Sequence, residues 1–197
     1  MNIAFFDFDN TLVKGDSLFA FLKFYYRKKS VAFAFKMIAF LPCFLAFKLK
    51  LMSRNNAKEK LFVLFFKGES RDSFLNKAAK FANDWIPKNL KKEAMHRLKW
   101  HLEQNDEVVI VSASIEAYLA PFAKKENLKL IGSRLDLSSE TMSGKFLLPN
   151  CYGQEKVNRI LEKYSLEKYN SSFAYGDSRG DKEMLEIVKH PFYRSFT

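Results

Sequence analysis

The sequence predicts an α/β fold in which a parallel sheet carries helices on both faces. Apolar runs with the length of a buried strand occur at 3–7, 107–112 and 172–176. Segments with helical spacing alternate with such runs in the second half of the chain, which is typical of parallel strands joined by helices. A long basic and aromatic segment separates the first run from the second, so we expect an inserted helical unit there.

The remaining elements follow from the same patterns. Strands are predicted at 3–7, 107–112, 128–132 and 172–176, with a further one at 191–194. Helices are predicted at 88–104, 115–126, 155–164 and 181–188. Pro87 suits a first helical turn, and Leu90, Ala94 and Leu98 recur at helical spacing. Residues 134–148 are predicted to form a hairpin flap with Gly144 near its turn.

Two carboxylates follow the first predicted strand. Strand alternation places residues i and i+2 on the same side, so Asp7 and Asp9 should point together past the strand end. Two like charges this close are costly unless a cation or a shared proton separates them. A divalent metal with oxygen ligands meets this need, and so do two carboxylates with different protonation states. The structural alternative is an Asp- and Asn-rich turn.

Other polar groups occur where further strands end. Ser112 closes the second apolar run, Asp177 and Asp181 follow the strand that breaks at Gly176, and Lys156 lies in the first turn of a predicted helix. In parallel α/β sheets, ligands bind outside the carboxyl ends of the strands. The sequence therefore predicts one site that contains all these groups.

Taken in order, these motifs resemble those of the haloacid dehalogenase (HAD) superfamily. They read Asp7-Phe-Asp-Asn-Thr-Leu, Val-Ser112-Ala-Ser, Lys156 and Gly-Asp177-Ser-Arg-Gly-Asp181. The resemblance covers residues 1–16 and about 100–197, and is to subfamily IB, the phosphoserine-phosphatase-like branch. It implies a Rossmann-like HAD core at 1–16 and 87–197, and an inserted all-α cap of the C1 type at 17–86.

The resemblance also implies a chemistry and a role for each acid. The chain would be a Mg²⁺-dependent phosphatase with an aspartyl-phosphate intermediate on Asp7, and Asp9 would be the general acid and base. Mg²⁺ would be held by a carboxylate oxygen of Asp7, the main-chain carbonyl of Asp9, and Asp177. Asp181 would orient Asp177 or a metal-bound water.

The residues expected to bind substrate are Thr11, Asp16, Ser112, Ala113 and Lys156. Ser112, Lys156 and main-chain N–H groups would contact the phosphoryl oxygens, and Thr11 would brace the loop of Asp9.

Each of these side chains also has a structural alternative. Ser112 could cap a helix, although Ser114 is the better N-cap candidate. Lys156 could be exposed to solvent, and Asp181 could cap the helix that follows it.

The substrate is less closely defined. Asp16 stands where phosphoserine phosphatases carry a glutamate, Gly180 where they carry an asparagine, and Ala113-Ser114 where they carry two glycines. We expect a small phosphorylated metabolite, such as phosphoserine or a related compound. A membrane-surface lipid phosphatase of the phosphatidylglycerophosphate type is the alternative. A third possibility is a non-catalytic HAD-fold protein that binds membrane or nucleic acid, but the intact acids and lysine argue against it.

The inserted segment carries the basic excess of the chain. Residues 17–100 contain 19 Lys and Arg and five Asp and Glu, a net charge of +14, whereas the whole chain has +11, which leaves −3 elsewhere. Within it lies the apolar run 31–47, interrupted by Lys36 and Pro42. Three interpretations stay open: a helix packed in the cap, a helix lying in an anionic membrane interface, or a membrane-spanning helix. No nucleic-acid-binding motif accompanies the charge, so no nucleic-acid partner is expected.

The remaining signals are few. Cys43 and Cys151 form neither a disulfide framework nor a zinc pattern. His96, His101 and His190 are interpreted as surface or helix residues without a role. The chain enters its first strand at once and shows no secretory signal, so we expect a cytoplasmic protein, with the inner face of the membrane as the alternative location.

Overall fold

The computed structural model describes residues 1–196 as one α/β unit. Its strands are β1 (Ile3–Phe6), β2 (Glu107–Ile115), β3 (Lys129–Ser133), β4 (Ser172–Gly176) and β5 (His190–Tyr193). Its helices are α1 (Ser17–Tyr25), α2 (Ser30–Lys48), α3 (Arg54–Phe66), α4 (Arg71–Asp84), α5 (Ile86–Asn89), α6 (Lys92–Glu103), α7 (Glu116–Lys125), α8 (Gln154–Lys163) and α9 (Lys182–Glu186). Short 3₁₀ turns cover Leu166–Lys168 and Arg179–Asp181.

All five strands are parallel and follow the order β3-β2-β1-β4-β5. The central strand β1 pairs with β2 and β4, and Phe6 lies opposite Ile110 on one side and Tyr175 on the other. The carboxyl ends of these three strands are therefore adjacent, as the sequence predicts. The loops that carry the polar motifs start from this edge.

Both faces of the sheet are buried. Phe5 and Val109 face one side and pack with Ile160 of α8 and Met184 of α9. The alternate residues of the same strands face the other side and belong to a larger apolar cluster. Strands buried on both faces are the expected form of a sheet covered by crossover helices, and the predicted fold class is confirmed.

Helices α1 to α4 are inserted between β1 and β2, in agreement with the helical insertion expected at 17–86. Their aromatic side chains pack with Tyr118 of α7, whose ring centroid lies 5.1 Å from that of Phe21 and 5.2 Å from that of Phe81. One apolar cluster thus runs from the sheet into the insertion. The division of the chain into a core and a cap domain stays a prediction.

Several local expectations were wrong. Strand β2 continues beyond Ser112 to Ile115. The single helix expected at 88–104 is two helices, because Leu90 forms a bridge with Val13 and so leaves the helical conformation. His101, by contrast, is a helix residue as expected; it lies in α6 and is fully buried, with Nδ1 2.8 Å from Asp106 Oδ2 and Nε2 2.9 Å from the Tyr175 hydroxyl.

The expected flap at 134–148 is reduced to one antiparallel bridge, between Leu135 and Phe146. Gly144 lies near its turn with a φ of +74° and contacts the backbone of α3 at Val63, where a Cβ atom would lie 2.6 Å from Val63 Cα. Glycine therefore suits this position in both conformation and space.

Helix α2 differs from its neighbours. Within residues 1–196 it is the one helix long and apolar enough to cross a membrane by length and composition, with a mean hydropathy of 2.0 over an 18-residue window. None of its residues is buried. Lys36 lies on its inner side and donates hydrogen bonds to the carbonyls of Leu64 (2.6 Å) and Phe65 (3.1 Å) at the end of α3.

Candidate active site

A pocket of about 380 Å³ lies at the carboxyl ends of β1, β2 and β4, between the sheet and the insertion. Eight of the nine site residues predicted from the sequence line it: Asp7, Asp9, Asp16, Ser112, Ala113, Lys156, Asp177 and Asp181. The ninth, Thr11, is buried and hydrogen-bonds to two of them. The structure therefore brings all nine residues together, and their role as a site stays a prediction.

Lys156 occupies the inner end of this pocket. Its ammonium group donates hydrogen bonds to Asp7 Oδ1 (2.6 Å), Asp181 Oδ1 (2.6 Å) and the carbonyl of Val111 (2.7 Å). The side chain is almost fully buried, so the solvent-exposed alternative is wrong. Burial alone would lower the pKa of Lys156, but the two carboxylates raise it above its ordinary value. This lysine is held as a cation.

Asp7 and Asp177 converge on the hydroxyl of Thr11, whose Oγ1 lies 3.4 Å from Asp7 Oδ2 and 3.4 Å from Asp177 Oδ1. Burial raises the pKa of Asp7 to about 7, against the opposing charge of Lys156. Burial, together with the charge of Asp181, also raises the pKa of Asp177. At both carboxylates burial is the largest cause of the raised pKa, and at Asp7 it outweighs the neighbouring charge of Lys156.

The donor set suits a divalent cation. Carboxylate oxygens of Asp7, Asp177 and Asp181 lie within 4.8 Å of one another, and oxygen ligands are those that Mg²⁺ prefers. Asp181 is already engaged, because Oδ1 accepts from Lys156, and Oδ2 accepts from the main-chain N–H and the hydroxyl of Ser178. These bonds outweigh burial and lower its pKa. Asp7 and Asp177 are therefore the carboxylates better placed to hold the ion. We call Asp7, Lys156, Asp177 and Asp181 the pocket floor.

Asp181 also lies at the N-cap position of α9, but its side chain makes no capping bond to that helix. It instead forms a reciprocal capping box with Ser178 in the 3₁₀ turn Arg179–Asp181. Its Oδ2 accepts from the main-chain N–H of Asp177 at 3.2 Å. Asp181 is thus bonded to the main chain of Asp177, and its role in orienting that residue stays a prediction.

Asp9 makes a separate set of contacts. Its Oδ1 accepts from the main-chain N–H of Ser17 (2.8 Å), and its Oδ2 accepts from the hydroxyl of Ser114 (2.7 Å). The Ser17 hydroxyl lies 2.9 Å from both Ser114 Oγ and the Tyr118 hydroxyl. Burial raises the pKa of Asp9, and the two serines only partly oppose it. A carboxyl group with a raised pKa in a fixed orientation suits proton transfer.

The second motif differs in detail from the expectation. Ser114 is not a helix N-cap, because β2 continues through it and Ile115 precedes α7. Its main-chain N–H donates to Ser112 Oγ at 3.0 Å. The Ala113 carbonyl accepts from Lys58 Nζ and from Ser133 Oγ. Ser112 and Ala113 both line the pocket, and their substrate contacts stay a prediction.

Asp16 and Gly180 are two positions at which the sequence differs from phosphoserine phosphatases, and local contacts explain the residue type at each. Asp16 lines the pocket but also caps α1, where its Oδ1 accepts from the main-chain N–H of Phe19 at 2.8 Å. Gly180 lies against the ring of Tyr152, and a Cβ atom there would come within 2.3 Å of that ring. The glycine in the fourth motif is therefore coupled to the presence of Tyr152.

Sequence reasoning missed two cations at the outer part of the pocket. Lys58 of α3 donates to the Ala113 carbonyl and to Asn150 Oδ1 (2.7 Å), and burial lowers its pKa to about 8 although Asp9 opposes this. Arg54, one turn earlier, lies over the Tyr152 ring at 4.3 Å from its centroid. Arg54 and Lys58 are four residues apart, which places them on one side of a helix, and this spacing was the available signal of a shared binding role. Many other pairs of lysine and arginine have the same spacing.

The opposite side of the pocket is apolar. Phe40, Phe44 and Phe47 of α2 line it. We call these three residues the outer wall. A site that combines acids and a lysine with three phenylalanines suits a substrate with a charged end and an apolar part.

This fold and site define a parallel α/β protein with a carboxylate-based centre at the strand ends. The sequence profile of the haloacid dehalogenase-like hydrolase family matches residues 4–186, and the chain belongs to that family. The resemblance stated from the motifs is thereby confirmed.

The chain is also similar to individual proteins. The chain is 33% identical to protein CicA of Caulobacter vibrioides over 195 residues, covering 97% of this chain and 85% of that protein. It shares the fold of a protein of unknown function from Bordetella pertussis Tohama I, with a TM-score of 0.82, 21% identity, and coverage of 95% and 86% of the two chains. A phosphoserine phosphatase solved as a phospho-aspartyl intermediate analogue has a TM-score of 0.65 and 16% identity, with 98% and 84% covered.

Proposed function

We propose that the chain is a Mg²⁺-dependent phosphatase that hydrolyses a phosphate monoester through an aspartyl-phosphate on Asp7. The observation that supports this best is the pocket floor, where Asp7 is paired with a buried lysine and faces Asp177. Phosphoryl transfer needs little more than positioning and charge neutralisation, and this arrangement offers both. The phosphoserine phosphatase with a similar fold, solved as a phospho-aspartyl intermediate analogue, agrees with the proposal.

In the first step, a carboxylate oxygen of Asp7 attacks the phosphorus atom and the bond to the leaving-group oxygen breaks. Protonated Asp9 gives its proton to that oxygen, so the products are an alcohol and phosphorylated Asp7. Bound Mg²⁺, held by Asp7, Asp177 and the Asp9 carbonyl, would neutralise charge on the phosphoryl oxygens. Lys156 adds a second positive charge beside the nucleophile.

In the second step, ionised Asp9 takes a proton from water, whose oxygen attacks the phosphorus atom. The bond to Asp7 breaks, which releases inorganic phosphate and restores the carboxylate of Asp7 and the proton on Asp9. The two hydrogen bonds from Ser17 and Ser114 hold Asp9 in one orientation through both steps. Ser112 and main-chain N–H groups of the first loop would bind the remaining phosphoryl oxygens.

The substrate class depends on the outer half of the pocket. Lys58 and Arg54 can bind a second anionic group, which a small phosphorylated metabolite such as phosphoserine would supply. The outer wall favours a leaving group with apolar surface, which a lipid phosphate would supply. A compact polar leaving group would make no favourable contact with the three phenylalanines, so we favour a lipid phosphate as the substrate.

The test is hydrolysis of p-nitrophenyl phosphate by the purified protein with Mg²⁺ and after chelation with EDTA. We expect activity only with the metal, and a phosphoprotein that hydroxylamine cleaves after acid quenching, as an acyl phosphate requires. Full activity in excess EDTA would contradict the metal-dependent mechanism. A metal-bound protein without any phosphatase activity would favour the non-catalytic binding protein.

A further inference from the structure

One face of α2 is exposed and apolar along its whole length. Val31, Phe35, Ile38, Leu41, Leu45 and Leu49 are between 50% and 69% exposed. We call these six residues the outer stripe. Their spacing of three and four residues places them on one side of the helix. Large apolar side chains that follow each other in this way mark a binding surface.

The outer stripe contains no charged side chain, because the one lysine in this part of α2 points inward. Lys36 is the one charged residue between Ser30 and Phe47, and its ammonium group binds the carbonyls of Leu64 and Phe65 on the inner side. A lysine in the middle of an apolar helix normally argues against contact with lipid. Here it caps α3 instead, and the stripe stays uninterrupted.

Positive charge surrounds the stripe. Between Asp16 and Glu59 the chain has nine Lys and Arg and no Asp or Glu. Lys28 and Lys29 precede α2, and Lys48 and Lys50 lie at its end, all of them exposed. An apolar face with cations at both ends matches the acyl region and the head groups of an anionic lipid bilayer.

We propose that the outer stripe docks on the surface of an anionic lipid bilayer, with α2 lying in the plane of the interface. A second copy of this chain is a poorer partner, because it would bring two sets of cations together without a counter-charge. A spanning helix is also disfavoured, because the inner side of α2 is already engaged. Phe33 and Met37 pack against the core, and Lys36 binds α3.

This docking has a consequence for the substrate, which rests on the phosphatase function proposed above. Phe40 lies two residues beyond Ile38, hence about 200° around the helix, so the outer wall and the outer stripe are on opposite sides. An interfacial helix enters the bilayer surface by about 5–10 Å, and a helix with its side chains is about 10–12 Å across. The pocket then opens at the height of the lipid head groups. The substrate is a phosphate monoester carried by a membrane lipid.

The first experiment is flotation of the full chain with phosphatidylcholine vesicles and with vesicles that also contain phosphatidylglycerol. We expect binding to the anionic vesicles at low salt, and weaker binding as salt rises, because exposed charges are screened. No binding to anionic vesicles at low salt overturns the proposal. Resistance to extraction with alkaline carbonate also overturns it, since that identifies a spanning helix.

Matched variants separate the apolar contribution from the charges. Phe35→Ser with Ile38→Ser should reduce vesicle binding at every salt concentration, whereas Leu161→Ser with Tyr193→Ser, also exposed but on α8 and β5, should not. Lys28→Gln with Lys29→Gln should reduce binding about 25-fold at low salt, at about fivefold for each charge. Lys124→Gln with Lys125→Gln on α7 is the matched control. Equal effects of the test and control pairs overturn the assignment of the surface.

Activity measurements separate this inference from the phosphatase function. The stripe variant should keep hydrolysis of p-nitrophenyl phosphate but lose at least tenfold in hydrolysis of phosphatidic acid in vesicles. If the wild-type protein hydrolyses neither p-nitrophenyl phosphate nor phosphatidic acid, the proposed phosphatase function is wrong. The flotation assay still tests membrane docking in that case. If wild type prefers a soluble short-chain phosphate to the vesicle lipid, the substrate assignment is overturned. Loss of a dimer in ultracentrifugation, with vesicle binding unchanged, would identify the stripe as a self-association face.

Discussion

The pocket floor and the outer wall lie in one cavity but are built differently. Three of the four floor residues are buried and Asp177 is half-buried, and each carboxylate and the lysine is fixed by hydrogen bonds to a neighbour. The outer wall comes from a helix without a single buried residue and contributes aromatic surface. The difference indicates that the pocket floor determines the reaction, whereas the outer wall determines which substrate binds.

The strongest test of this division is Asp7→Asn. An amide is a poor nucleophile and a poor metal ligand, so kcat/KM for p-nitrophenyl phosphate should fall by at least about a thousandfold. Steady-state kinetics with thermal unfolding as a check on folding would measure this. Asp72→Asn, an exposed acid on α4, is the control. Full activity of Asp7→Asn would mean that the floor does not contain the nucleophile.

Asp9→Asn should cost less, about 10²- to 10⁴-fold in kcat, because proton transfer is lost while Asp7 remains. With a good leaving group the first step should still proceed, and phosphorylated Asp7 should accumulate. Rapid acid quenching and intact-protein mass spectrometry would detect the added phosphoryl group. Ser114→Ala, which removes one hydrogen bond to Asp9, should have a smaller effect in the same direction. Normal turnover of Asp9→Asn would refute the assignment.

A smaller effect is expected at Lys58, between the floor and the wall. Lys58→Met should raise KM about tenfold for a doubly anionic substrate and leave kcat within a few-fold, because a charge-assisted hydrogen bond is lost. Since burial lowers the pKa of Lys58 to about 8, its charge is present below that pH. KM of the wild type should therefore rise as pH passes above about 8, and this rise should be absent in Lys58→Met. A change in kcat alone would place Lys58 in the chemistry instead.

The smallest expected effect is at His101, which belongs to neither region. Burial lowers the pKa of this imidazole despite Asp106, so the folded protein binds the proton less readily than the unfolded chain. Its contribution to stability is present above the unfolded pKa of about 6.5 and is lost as pH falls below it, at no more than about 1.4 kcal/mol per pH unit. Urea unfolding between pH 5 and 8 should show a weaker pH dependence for His101→Gln, with activity at neutral pH retained. An unchanged pH dependence would show that His101 does not titrate differently on folding.

The floor was predictable because its residues follow strands directly. Once β1, β2 and β4 pair in parallel, Asp7, Ser112 and Asp177 must meet at one edge, whatever the rest of the chain does. The sequence also showed a helical insertion with excess charge. The floor and the sheet are thus properties of local sequence and strand order.

The outer part was not predictable, because it depends on how inserted helices pack. Lys58 and Arg54 reach the pocket only through the position of α3, and nothing in their local sequence distinguishes them from solvated cations. Ser114 was only a candidate helix N-cap in the sequence, but β2 continues to Ile115 and the Ser114 hydroxyl donates to Asp9. Lys36 likewise points inward because the carbonyls of Leu64 and Phe65 at the end of α3 accept its hydrogen bonds. These carbonyls are distant from Lys36 in the sequence, so the local pattern gave no sign of the contact.

The bond between Asp9 and the first residue of the insertion restricts how substrate can enter. Ser17 begins α1, and α1 and α4 pack on Tyr118 of α7, so this half of the insertion is anchored to the sheet. Helix α3 is held to the core as well, because Lys58 donates to the Ala113 carbonyl and Asn55 Oδ1 accepts from the main-chain N–H of Asn150 at 2.7 Å. The side of the pocket that can give way without breaking the bonds that orient Asp9 is therefore α2, which has no buried residue.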